Sequence, residues 1–142
     1  MDIVINLLIW VHIVALVAGG SNSVVGPVIA ARLPGATPDA RAGYYSVMNT
    51  LAQVGKVAMA ALLVSGPLIL WLKYGGIGQA NYWFWIKMVL VVVMLAAIIY
   101  GGINFKKAQG GDAAAGKRAG IAHKITGLAF AGVLLAAVFA FN

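Results

Sequence analysis

The stretch IVINLLIWVHIVALVAGGSNSVVGPVIAA, residues 3–31, decides the fold. It holds no Asp, Glu, Lys or Arg. It exceeds the ~20 predominantly apolar residues that carry a helix across a bilayer core. Lipid offers no hydrogen bonds, so such a segment must satisfy its own backbone and becomes helical. The preceding Asp2, the missing basic leader and the length distinguish it from a cleaved secretory signal. Three similar runs follow, at about 47–72, 83–103 and 121–141. The spacers between them are short. Residues 32–46 carry Pro34, Gly35, Pro38 and Asp39, and 73–82 carry Gly75, Gly76 and Gly78, all stop or turn signals. Residues 104–120 are the most polar stretch, with Lys106, Lys107, Asp112, Lys117 and Arg118. No spacer can form a domain, and no internal repeat is visible. The expected architecture is all-α: one transmembrane domain over 1–142, a four-helix bundle running up-down-up-down.

Composition agrees. Hydrophobic residues make up 63% of the chain and charged residues 9%, against about 45–50% and about 25% in soluble domains. The lack of cysteine excludes disulfides, Cys-ligated zinc, iron–sulfur clusters and thiol catalysis. The acids are Asp2, Asp39 and Asp112, with no glutamate, and none lies inside an apolar run. Carboxylate acid–base chemistry, proton relays and carboxylate metal sites within the bilayer are therefore excluded, and no catalytic residue is assigned. The net charge of +7 sits at the ends of the runs. It fits membrane topology and anionic headgroups. No basic-aromatic patch points to nucleic acid. Arg32, Arg41, Lys106, Lys107, Lys117, Arg118 and Lys124 share one side; Lys73 and Lys87 belong to the other. The positive-inside rule then places both termini away from the cytoplasm. Trp71, Tyr82, Trp83 and Trp85 form the aromatic belt of that outer side.

Polar groups that hydrocarbon should reject mark function in such bundles. Here they are His12, Asn22, Asn49, Gln53, Lys56, Lys87 and His123. Leu8, His12, Ala15, Gly19, Asn22 and Gly26 form one helical stripe, small enough for close approach of a neighbour. Asn49, Gln53, Lys56 and Ala60 form another. At ~1.5 Å per residue, His12 lies ~10–14 Å and Lys87 ~6 Å from the outer ends of their runs, depths compatible with one site. His123 lies near the inner edge, which disfavours one haem gripped by both histidines of a chain. His12 reads either as a neutral interhelical hydrogen-bond donor or as a metal ligand. Lys56 and Lys87 either snorkel or meet an anion, because no in-chain carboxylate is available to them within the bilayer. Two haem propionates or a lipid phosphate would supply that charge. The cofactor-binding candidates are thus His12, Lys87 and Lys56, with His12 the metal ligand. The segment Gly19–Ser23 could be unwound, but lipid favours a continuous helix. Pro67 should kink the second helix. The scattered methionines read as packing rather than copper ligands.

The segments LLIWVHIVALVAGG and GPVIAARL, with His12, Gly19, Gly20, Pro27 and Arg32, resemble the first helix of a four-helix membrane superfamily. That superfamily includes the copper-resistance D-like proteins and a bacterial haem-binding protoporphyrinogen oxidase. The segment YWFWIKMVLVVVMLAAIIYG, with Trp83, Trp85, Lys87 and Tyr100, is similar to its third helix. The resemblance implies a bacterial inner-membrane location and haem b, with functional roles at His12 and Lys87. The chain departs from the oxidase branch in having Gly101 after Tyr100, no histidine near Arg32, and no Asn-Glu-x-Pro in the fourth helix. Three functions follow as expectations. The first is a haem- or porphyrin-binding redox protein. The second is an accessory or scaffold subunit, docking a larger membrane complex or a second copy through small-residue stripes. The third is a transporter or copper-resistance-type permease using Asn22, Asn49, Gln53 and Lys56.

Overall fold

A computed structural model describes residues 2–140. It contains α1 (Asp2–Arg32), α2 (Pro38–Tyr74), a short 3-10 turn (Ile77–Gln79), α3 (Tyr82–Gln109) and α4 (Ala113–Ala140). All four helices are long and apolar enough to cross a membrane. The fold is an all-α four-helix bundle, with no strand among the described residues.

The helices outrun the apolar segments because capping, not hydropathy, sets their ends. Thr37 is the N-cap of α2, its side chain accepting from Ala40 N–H at 3.4 Å, and Pro38 follows it with a pre-set φ. The helix therefore starts at Pro38 rather than near residue 47. Gly75 ends it in the left-handed conformation, φ 71°, donating its N–H to the Leu70 carbonyl. Asn81 caps α3 by accepting from Phe84 N–H at 3.1 Å. Asp112 caps α4 through Ala115 N–H at 2.9 Å, so α4 begins at Ala113 rather than near 121. The expected end of the fourth helix at Phe141 lies outside the described residues. At ~1.5 Å per residue, α2 is ~55 Å long against a hydrocarbon core of ~30 Å, so its polar first turns extend past the apolar layer. Helix α1 is continuous through Gly19–Ser23.

Helix α1 packs on α2 and α3 on α4, and the two hairpins join along α1 and α4. Helices α2 and α3 touch at one end, through the Tyr45–Phe105 rings (5.9 Å between centroids) and a Gln109 Nε2 donation to Asn49 Oδ1 at 3.3 Å. That end also carries Arg32, Arg41, Lys106, Lys107, Lys117 and Arg118 and is called the basic end below. The interior is built mostly of small residues. Ala115, Ala122, Ala129 and Ala136 are buried at seven-residue intervals on α4. A seven-residue repeat keeps one seam of a helix turned toward its neighbour, and here the seam is alanine, so the backbones approach closely. A Cβ added at Gly101 on α3 would lie 3.1 Å from Ala122 Cβ. Most large side chains point outward instead, among them Trp10, Val17, Val57, Val92, Leu128 and Leu135; Ile29, Phe84, Met94 and Val133 are buried. Small inside and large outside is the arrangement expected when lipid is the solvent.

Candidate functional site

The best-defined polar constellation lies in the half of the bundle opposite the basic end. His12 projects from α1 toward α2 and packs beside Gly66, where a Cβ would stand in ordinary contact with His12 Cε1 at 3.5 Å. One turn of α2 supplies the partner. Ser65, 2% exposed, has its Oγ 2.8 Å from His12 Nδ1. The same hydroxyl donates to the Ala61 carbonyl at 2.6 Å. A serine has one hydroxyl hydrogen, and here Ala61 takes it. Ser65 Oγ must therefore accept from His12 Nδ1–H. Proton counting thus assigns neutral His12 the Nδ1–H tautomer and leaves Nε2 with a lone pair. Lys87, partly buried on α3, lies within electrostatic reach of the imidazole. Three helices thus bring a fixed imidazole and a cation to one level of the membrane.

This arrangement brings His12 and Lys87 together, and it leaves Lys56 elsewhere. Lys56 is exposed on α2, nine residues from Ser65 and hence ~14 Å along the axis. Gln53 is also exposed, and Asn49 is engaged with Gln109 at the basic end. Asn22 turns into the α1–α2 seam, its Nδ2 donating to the Leu51 carbonyl at 2.8 Å. The polar stripe of α2 therefore does not converge on Asn22. His123 packs against Gly26, fourteen residues beyond His12 on α1, which is ~21 Å along the helix. One chain's two histidines cannot share one porphyrin.

Two residues that position the site escape a reading of polarity alone. Ser65 is a weak signal because a helical serine has several fates; its place before Gly66-Pro67 was the available hint. Asn81 caps α3 and also donates to the Phe139 and Ala140 carbonyls, each at 3.3 Å. With the stacked Trp83–Phe139 rings, 4.9 Å apart, it fixes the start of α3, and so Lys87, against the end of α4.

Among the described residues, no group of three or more His, Cys, Asp or Glu is placed to hold a metal ion. A protein-only metal centre has no donor set at His12. By donor type alone the residues are compatible with a haem: Nε2 of His12 could hold the iron, and the Lys87 ammonium could meet a propionate. Comparison of the chain with family models, curated proteins and solved structures finds no match.

Proposed function

We propose that the chain is a multi-pass membrane protein that binds haem b, or a related porphyrin, at His12, with Lys87 pairing a propionate. One observation carries this reading: His12 is held by Ser65 with Nε2 available, in the same layer as the partly buried Lys87. A metal-binding histidine commonly has its other ring nitrogen fixed by such a bond. Bound haem would supply one-electron redox chemistry. The chain's own residues do the rest. Ser65 orients the ring, Lys87 balances negative charge, and the apolar helices exclude water. The basic end faces the cytoplasm of a bacterial inner membrane, which places His12 in the outer half.

The test is the optical spectrum of the detergent-purified protein. A Soret band should be present or form on adding haemin, and His12→Ala should abolish it, with Lys87→Met weakening haem retention. No Soret band in the wild type, with or without haemin, rules the reading out. The second reading is an accessory or scaffold subunit, favoured by the fact that the His12–Ser65 bond ties α1 to α2 without any cofactor. It predicts co-purification with a larger complex that survives His12→Ala.

A further inference from the structure

A second polar site lies nearly three turns of α1 toward the basic end, independent of His12. Asn22 Oδ1 and His123 Nε2 are buried side-chain atoms with no hydrogen-bond partner among the described residues. Both lie at one turn of α1, Asn22 as part of it and His123 reaching it from α4. Asn22 projects toward α2, and the room is made by Gly55, where a Cβ would fall 2.5 Å from Asn22 Nδ2. Donation from Nδ2 to the Leu51 carbonyl fixes which end of the amide faces α2. Oδ1 is therefore left as an acceptor inside the bundle. Four residues later, Gly26 leaves the notch that His123 of α4 fills with its Nε2 edge. The His123 ring also lies beside the main chain of Asn22. Pro27 has no N–H, so the Ser23 carbonyl lacks its helical donor. Ser23 itself faces α4, its Cβ 3.9 Å from where a Gly127 Cβ would stand.

This turn thus offers two oxygen acceptors and one imidazole nitrogen that can donate or accept. Buried polar groups in proteins are, with few exceptions, hydrogen-bonded. The Asn22 amide, the Ser23 carbonyl and a neutral His123 imidazole carry no formal charge with which to balance an ion, so the matching ligand is neutral. A single hydroxyl group carries both the donor that Asn22 Oδ1 lacks and the acceptor that His123 Nε2–H lacks. We propose that Asn22 and His123 form a binding site for a neutral hydroxyl group within the membrane, carried either by a water molecule or by a lipid-soluble quinol.

The experiment is nitrogen-15 NMR of the full chain, labelled at histidine, in lipid nanodiscs. His123 is assigned by the resonances lost in His123→Gln. Transfer of magnetisation from water to His123 Nε2–H is expected if water is the occupant. A shift of the His123 nitrogens on adding decylubiquinol is expected if a quinol is. Whichever signal is found should vanish in Asn22→Leu and persist in His12→Ala. The proposal is overturned if the wild type shows neither water transfer nor a quinol-induced shift. It is equally overturned if the signal survives Asn22→Leu unchanged. The persistence in His12→Ala separates this site from the haem reading, which can fail without affecting it.

Discussion

Ser65 shows how much one hydroxyl can decide in a bundle whose apolar runs hold no acid. Removing it by Ser65→Ala deletes the tie between α1 and α2 and leaves His12 Nδ1–H unmet. Interhelical hydrogen bonds in membrane proteins average about 0.6 kcal/mol and reach about 1.7 kcal/mol. Ser65→Ala should therefore lower stability in a bicelle unfolding assay by about 0.6–1.7 kcal/mol. It should also lower haem occupancy at limiting haemin, because the imidazole is no longer oriented. A stability loss without any change in the haem titration would separate the two roles. At this scale the sequence was readable in part. His12 stands out because an imidazole in apolar surroundings is conspicuous. Ser65 does not, because a helical serine more often bonds its own backbone, as this one also does. Lys56 and Lys87 are both cofactor candidates on sequence for a physical reason. Both interrupt apolar runs, and which way each faces is set by packing with neighbours that hydropathy does not encode.

Helix α4 shows the same division one level up. Its span was legible from hydropathy, but its start was not, since Asp112 capping extends the helix through Ala113–Gly120, which is too polar to register as membrane. Hydropathy reports the lipid; the cap reports the helix. The buried face was also hidden, because lipid-exposed and interior positions are both apolar. What distinguishes them is size, and the alanines at 115, 122, 129 and 136 mark the seam. That yields a paired test. Ala129, 5% exposed, is packed into the seam, where a larger side chain presses on its neighbours. Ala129→Leu should destabilise the protein by about 1–3 kcal/mol through overpacking. Leu128, its neighbour in sequence, is 76% exposed, so Leu128→Ala should change stability far less, although it removes most of a large apolar side chain. In a water-soluble bundle the deletion of a large apolar side chain would be the conspicuous case. Chemical unfolding of the two variants in the same detergent checks the order.

At the level of the whole molecule, four apolar helices and short connections made the bundle legible, while the order of neighbours was not. Apolar runs do not say whether α1 meets α3 or α4. The structure answers with small residues. Gly20 admits Phe130, whose Cζ would lie 2.7 Å from a Cβ at that position; Gly26 admits His123; Ser23 meets Gly127. These contacts make α1 the helix shared between the two hairpins, while α2 and α3 meet near the basic end through Tyr45 and Phe105. The absence of native cysteine allows a direct check. A disulfide needs Cβ atoms roughly 3.5–4.5 Å apart, and the Ser23 and Gly127 positions stand 3.9 Å apart in that sense. The double variant Ser23→Cys with Gly127→Cys should form an intrachain disulfide under mild oxidation in membranes, seen as a reduction-sensitive shift in gel mobility. Val57→Cys with Val89→Cys places both thiols at exposed positions on α2 and α3, and should not cross-link within a chain. If the second pair bridges and the first does not, α2 and α3 are the packed neighbours and the joint between hairpins lies elsewhere. The proposed hydroxyl site would go with it, because His123 meets the Asn22 turn only where α1 and α4 are in contact.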